Sequence, residues 1–322
     1  MSRDAAIDAF LAGAGWGGAA RRPLAGDASA RRYERLEGGA VLMDSPEEDV
    51  RPFLRVARTM RGLSVPRILA ADAAAGLVLM EDLGDALFSA HLQSRPGDES
   101  LLYAEAARAL GVLQRLDMDL PDYRASMPDL AGLAVDWYAP EAGPRAPIVA
   151  AMGAALDAMP PAPDVPVHRD YHVDNLLWLP GRAGTDRVGI IDFQDAMTGP
   201  AEYDLASLLM RERRAPSAAA RAAAMDAFAE ATGRAGEAVA HRYAVCLAQR
   251  SLRVLGVFAR LCLRDGKTRY PLMIPLVWDG LREALAHPAL GDLASACAAL
   301  PPPDAARLDG IVARASTRRN AA

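Results

Sequence analysis

Apolar and polar positions divide this chain into an early part with a period near two and a longer, later part with a period near 3.6. Ahead of both, residues 3–12 place Ile7, Phe10 and Leu11 on one side of a short amphipathic helix that glycines around Trp16 bring to an end. From Arg22 to about residue 44 the order is strand, turn, strand, turn, strand. Residues 46–62 return to helical spacing, with Pro52 in the first turn, Phe53, Val56, Ala57 and Met60 in one stripe, and Gly62 as the stop. Residues 65–81 then give two strands about a turn at Ala75 and Gly76. Beyond Leu87 the helical period dominates: Leu101, Ala104, Ala107, Arg108 and Leu113 fall on one long helix. Residues 121–147 are punctuated by Pro and Gly, and 159–166 form a stiff, Pro-rich extended run. One interruption matters most. Residues 176–179 and 188–191 are short apolar strands, and the Pro and Gly between them predict a hairpin. The expected class is α+β, with a small antiparallel sheet and helix in residues 1–84 and a mainly helical remainder, 85–322, that carries the hairpin.

The hairpin is flanked by the chain's densest chemistry. His168, Arg169 and Asp170 precede its first strand, Asn175 opens that strand, and Asp192 and Phe193 follow Gly189, Ile190 and Ile191 of the second. Antiparallel pairing predicts Asn175 opposite Asp192 at the open end, with Asp170 one tight turn earlier. An amide oxygen and a carboxylate then share a hard cation while a second carboxylate stands beside it. Kinase-type phosphoryl transfer needs that set: Mg²⁺ on the nucleotide phosphates held by Asp and Asn, and a free Asp to position and deprotonate the attacking hydroxyl. A competing pattern runs through the same residues. His168, Asp170, His172 and Asp174 alternate, so in an extended strand all four would face one way and suit zinc in a metallohydrolase.

Phosphoryl transfer also requires groups elsewhere. The small polar turn Gly26, Asp27, Ala28 and Ser29 is of the kind whose backbone N–H groups approach phosphate. The strand at 40–44, where most such kinases keep a phosphate-holding lysine, has none; Lys267 is the single lysine of the chain. Arg31 and Arg32, directly after the turn, are the nearest cations able to fork onto phosphate oxygens. Glu47 and Glu48 lie ahead of the periodic part of the next helix, so the usual lysine–glutamate pair is expected to be missing. Met80, Glu81 and Leu83 occupy the place of a connector whose backbone pairs with adenine. Past the hairpin, Asp195 is expected to point into the same cleft, and Asp204 to cap a helix or bond back to the catalytic-loop backbone. In the helix predicted at 239–263, Arg250, Arg253, Arg260 and Arg264 follow steps that put them along one face. If that face borders a cleft it suits an acidic acceptor, because arginine grips a carboxylate with two prongs.

Composition narrows the classes. The chain has 322 residues, 52% hydrophobic and 24% charged, which is ordinary globular usage and enough for a large core. A net charge of −5 supplies no general attraction to nucleic acid or an anionic membrane. Cys246, Cys262 and Cys297 are odd in number and lie in apolar helical sequence, so they read as buried thiols of a reducing compartment. No apolar run is long enough for a membrane span, and acidic residues near the N-terminus do not suit a signal peptide. The expectation is a cytoplasmic protein.

Residues 167–209 resemble the aminoglycoside phosphotransferase and choline kinase-like superfamily, through H-x-D-x-x-x-x-N, the following I-D-F and the later D-L-A. GDASARRY, AVLMDSPEE, RPFLRVARTM, VPRILAAD, LVLMEDLGD, QRSLRVLGVFARLCLRDGKTRY and the IPLV at 274–277 are similar to one branch. That branch comprises bacterial kinases that phosphorylate the anomeric hydroxyl of N-acetylmuramate and N-acetylglucosamine in peptidoglycan recycling. The likeness spans nearly the whole chain and is loosest at 121–165; V-L-M-D at 41–44 looks normal for the branch, which argues against a pseudokinase. The resemblance implies a bilobal protein-kinase-like fold and an ATP:sugar 1-phosphotransferase using ATP and Mg²⁺. Its partner is a small amino sugar, and no obligate protein partner is implied. Asp170 would then be the base, Asn175 and Asp192 the Mg²⁺ ligands, and Ser29, Arg31, Arg32, Met80, Glu81 and Leu83 the nucleotide contacts. Asp195, His172, Arg250 and Arg253 are the candidate acceptor contacts, the arginines meeting the lactyl carboxylate of N-acetylmuramate. Aminoglycosides, choline and homoserine are the alternative acceptors within the same fold.

Overall fold

The period-two segments fold into one antiparallel sheet. The computed structural model describes residues 2–24 and 31–320. Helix α1 (Arg3–Gly13) leads into β1 (Arg21–Pro23), β2 (Arg32–Leu36) and β3 (Ala40–Asp44). Helix α2 (Arg51–Thr59), β4 (Ile68–Asp72) and β5 (Leu77–Glu81) follow, and the strands lie in the order β1-β2-β3-β5-β4. Strand β5 is paired on both sides, and its Leu77 to Met80 are all apolar and all buried. Leu77 and Leu79 join Ile7 and Leu11 of α1 in a small core on one face. Val78 and Met80 point to the other face, where they share a core with Phe53 and Val56 of α2 and with Met60 just after it. Helix α2 is shorter than the predicted 46–62. Ser45 Oγ donates to the Glu48 carbonyl at 2.9 Å and Asp49 accepts from the Arg51 N–H at 3.0 Å, so short polar side chains hold residues 45–50 out of the helix.

The rest is mainly helical. It comprises α3 (Phe88–Ser94), α4 (Glu99–Leu113), α5 (Met127–Ala131), a π-helical turn at Ala134–Tyr138 and α6 (Ala146–Asp157). Strand β6 (Val165–Val167) then introduces the hairpin of β7 (Leu176–Trp178) and β8 (Val188–Ile190), and β9 (Met197–Gly199) pairs back onto β6. Residues 168–175 and 191–196 are thus the two segments joining one strand pair to the other, and they emerge at the same end. Helices α7 (Tyr203–Leu209), α8 (Ala218–Thr232), α9 (Glu237–Leu263), α10 (Ile274–Leu285), α11 (Gly291–Cys297) and α12 (Ala305–Asn320) complete the chain. Among the described residues no helix is long and apolar enough to cross a membrane. The three cysteines are buried and reduced.

Helix α9 is the spine of the helical part, in contact with α5, α6, α7, α10 and α12. It approaches the π-helical turn so closely that a Cβ on Gly256 would lie 2.2 Å from the Leu133 carbonyl oxygen. Gly256→Ala must therefore push apart two elements that both wall the core. The expected cost is about 1–3 kcal/mol, read as a lower urea midpoint with an unchanged slope.

Candidate active site

A cleft of about 840 Å³ opens between the sheet and the helical part. Its floor is built by residues 168–175 and 191–195. Two residues there hold left-handed backbone without being glycine: Arg169 at φ 74° and Asp192 at φ 62°. Such conformations cost on the order of 1–3 kcal/mol each, so the surroundings must impose them. Asp204, buried at the start of α7, accepts from the N–H groups of His168 at 2.6 Å and Arg169 at 2.9 Å. The Arg169 guanidinium reaches the Asp195 carbonyl at 3.0 Å and lies over the Tyr123 ring at 4.6 Å. His168 accepts the Asp170 N–H at Nδ1, 3.2 Å, which leaves Nε2–H to donate to the Ile191 carbonyl at 2.9 Å. That ring therefore fixes both floor segments to each other. Burial pushes the Asp204 carboxyl up, while the backbone N–H groups of His168 and Arg169 act to keep it charged.

The hairpin forms as expected, but its register differs by one residue. Leu176 pairs with Ile190, and the Ile191 N–H donates to the Asn175 carbonyl at 3.1 Å, so the residue opposite Asn175 is Ile191 and not Asp192. The left-handed turn at Asp192 compensates by swinging its carboxylate back, and Asn175 Nδ2 lies 3.5 Å from Asp192 Oδ2. Asn175 Nδ2 also donates to the Asp170 carbonyl at 2.9 Å, which leaves the amide oxygen for another partner. Asp192 is exposed and its Oδ1 accepts from Gln194 at 2.9 Å. One amide oxygen and one carboxylate at the mouth of a cleft fit Mg²⁺, which keeps waters and takes its other oxygens from substrate phosphates.

The alternating histidines and aspartates do not form the zinc set that an extended strand would have made. Residues 168–174 are a succession of turns, in which His172 Nδ1 is taken up by the Asp174 N–H at 3.3 Å and His168 by the bonds above. Among the described residues no three His, Cys, Asp or Glu side chains come together as a metal cluster. His172 does line the cleft. Burial, opposed by Asp170 and reinforced by Arg213 and Arg250, holds its pKa well below the ordinary histidine value, so the ring is neutral with Nε2–H as a donor.

Asp170 is the half-exposed carboxylate of the floor, and one buried arginine holds it. Arg250, 2% exposed on α9, donates to the Arg169 carbonyl at 2.7 Å and to Asp170 Oδ1 at 3.3 Å. Its second carboxylate is Glu212, also 2% exposed, at 3.7 Å. Burial raises the Asp170 carboxyl, but Arg250 and, behind it, Arg253 outweigh it and hold the group well below the usual carboxylate range. Burial raises Glu212 in turn, with Arg250 pulling the other way. Neither Glu212 nor Arg213, which also lines the cleft, was among the residues expected here. They lie in the charged run Arg211 to Arg214, which reads as solvent-facing; its one hint is that it directly follows the helix begun by Asp204.

On the other side of the cleft Met80, Glu81 and Leu83 line the wall, joined by Leu24, Tyr33 and Val41 of the sheet. Among the described residues the Leu83 N–H donates to no backbone carbonyl. Gly189 lets the hairpin close beneath it, since a Cβ there would lie 3.3 Å from Leu83 Cδ1. Asp195 borders the opposite half. The small turn at 26–29, with Ser29, lies outside the described residues. Arg31 and Arg32 do not line the cleft: Arg31 pairs with Glu48 at 2.9 Å and the exposed Arg32 with Asp44 at 3.4 Å. An arginine–glutamate pair thus stands near where the lysine–glutamate pair was expected to be missing. Of the four arginines predicted to share a face of α9, only Arg250 and Arg253 border the cleft; Arg264 is exposed and bound to Asp265 at 2.6 Å.

These features define a class, and comparison with known proteins agrees with it. Residues 20–241 match the model of the phosphotransferase enzyme family, and the chain belongs to that family. It is 36% identical to an N-acetylmuramate/N-acetylglucosamine kinase of Caulobacter vibrioides, with 90% of this chain and 94% of the relative covered. A protein of the same description from Pseudomonas aeruginosa is 34% identical over 92% of this chain and 94% of the relative. Among solved structures, a choline/ethanolamine kinase family protein from Mesorhizobium loti superposes with a TM-score of 0.63 at 19% identity, covering 92% of this chain and 99% of that one. The GDP complex of aminoglycoside 2'-phosphotransferase-IIIa gives 0.60 at 14% identity, covering 89% and 99%. The fold is protein-kinase-like.

Proposed function

We propose that this protein transfers the γ-phosphoryl group of ATP to the anomeric hydroxyl of N-acetylmuramate and N-acetylglucosamine, returning cell-wall sugars to metabolism. The observation that carries the reading is the floor of the cleft, where Asp170 stands free of the Asn175 and Asp192 pair yet tied to it through the Asn175 amide. The choice of acceptor rests on relatives at 34–36% identity that bear this description over most of their length.

In this reading residues 1–84 cover the nucleotide and 85–322 hold the acceptor. Met80 and Val41 pack against the adenine, and the Leu83 N–H meets its edge. Asn175 and Asp192 hold Mg²⁺, which when bound neutralises phosphate charge and aligns the γ-phosphoryl group. Asp170 accepts the proton of the anomeric hydroxyl as that oxygen bonds to the γ-phosphorus, and the bond from phosphorus to the β–γ bridging oxygen breaks to leave ADP. A hemiacetal hydroxyl is more acidic than an ordinary sugar alcohol, so a carboxylate of low pKa suffices. Arg250 fixes where that carboxylate points, and His172 Nε2–H and Asp195 are placed to bond acceptor hydroxyls.

The test is ADP release from ATP over a panel of N-acetylmuramate, N-acetylglucosamine, an aminoglycoside, choline and homoserine, with and without Mg²⁺. The two amino sugars are expected to give Mg²⁺-dependent turnover and the others little. Turnover confined to another acceptor would overturn the sugar assignment, and ATP binding without ADP release for any acceptor would make the chain a nucleotide sensor.

A further inference from the structure

The arginines of α9 that border the cleft have different electrostatic surroundings. Arg250 is engaged by Asp170, Glu212 and the Arg169 carbonyl, so its charge is already answered. Arg253, one helical step on, is half-buried and lines the cleft, and among the described residues it stands within ion-pair distance of no carboxylate. Its Nη1 donates to the Tyr203 hydroxyl at 3.3 Å, a neutral partner that orients the guanidinium without cancelling its charge. Tyr203 is itself fixed by a 2.9 Å bond to the Tyr123 hydroxyl, so the group is held rather than swinging in solvent.

Helix geometry sets where that charge lies. Three residues of α-helix advance about 4.5 Å along the axis, so Arg253 stands one substituent's length beyond the arginine that fixes Asp170. Val254, Val257 and Phe258 continue the same wall as an apolar surface. A sugar placed with its C1 hydroxyl at Asp170 and its ring along this wall would carry its C2 and C3 substituents past Arg253, the acetamido methyl against apolar side chains. The two acceptors differ only at O3, where N-acetylmuramate carries a lactyl ether with a carboxylate. Asp170, Asp174 and Glu212 line this half, and Arg213 lies 3.7 Å from Asp174, so an anionic acceptor is repelled unless a dedicated cation receives it.

We propose that Arg253 determines acceptor specificity by pairing with the lactyl carboxylate of N-acetylmuramate, while Arg250 serves only to position Asp170. This rests on the sugar-kinase reading above. The experiment is steady-state kinetics of both sugars with the unsubstituted chain, R253M and R253K, each sugar measured on the same preparation so that any folding defect cancels in the ratio. R253M is expected to lower kcat/KM for N-acetylmuramate on the order of 30-fold more than for N-acetylglucosamine, chiefly through KM. R253K should recover part of the loss, because it restores the charge without the two-pronged geometry. Equal falls for both sugars would make Arg253 a support for Tyr203 and overturn the inference, as would no fall for either. An unsubstituted chain that phosphorylates N-acetylglucosamine but refuses N-acetylmuramate would overturn it and leave the kinase reading standing. One that phosphorylates neither would remove both.

Discussion

Asp170→Asn is expected to bind ATP and Mg²⁺ as the unsubstituted chain does and to lose turnover by about 10²–10⁴-fold, the usual contribution of a positioned general base. The substitution is nearly isosteric, and the bonds that shape the loop run through the Asp170 backbone: its N–H to His168 and its carbonyl to Asn175. The nucleotide half of the cleft is therefore left as it was. What disappears is the acceptor for the hydroxyl proton. Titration of ATP followed by single-turnover kinetics separates the two effects. Turnover within a few-fold of the unsubstituted value would remove Asp170 from the chemistry.

Arg250→Met is expected to be the most destabilising change at the site and to depress turnover with both sugars alike. Removing one partner of a buried charge pair typically costs about 3–5 kcal/mol, and here Glu212 would be left buried at 2% exposure beside a methionine. The Arg169 carbonyl would lose its donor and Asp170 its anchor. The double variant Arg250→Met/Glu212→Gln separates stability from catalysis. Its urea midpoint should recover much of the loss, since the stranded charge is gone, whereas turnover should stay low because Asp170 is still unanchored. Recovery of turnover in the double variant would show that Arg250 acts on stability alone.

Much of this site could be read from the residues because each required group leaves a local mark. Asn175 and Asp192 flank two short apolar strands, and such strands with a Pro and Gly loop between them pair in only a few ways. Asp204 could be foreseen as a backbone ligand because a carboxylate at a helix start seeks N–H groups, and the catalytic loop has them to offer. Three things were not legible. A left-handed conformation at Asp192 leaves no signature in a residue other than glycine, so the pattern alone puts Asn175 opposite Asp192, one position from the observed Ile191. Burial along α9 depends on what packs against it: Arg250, Arg253 and Arg264 occupy equivalent helical positions, yet one is enclosed, one half-buried in the cleft and one in solvent. Glu212 sits among three charged neighbours and becomes a site residue only because α7, anchored by Asp204, carries it back beneath α9. In each case local chemistry identified the group, and tertiary packing decided which way it faces.

Phosphorus NMR of the product formed from ATP and N-acetylglucosamine tests the central claim most directly, because it reports which oxygen received the phosphoryl group. A single phosphorus coupled to the anomeric proton is the expected result, since Asp170 is held to receive the proton from the C1 hydroxyl. A product coupled to the C6 protons instead, or no phosphorylated sugar at all in the presence of Mg²⁺, would contradict it.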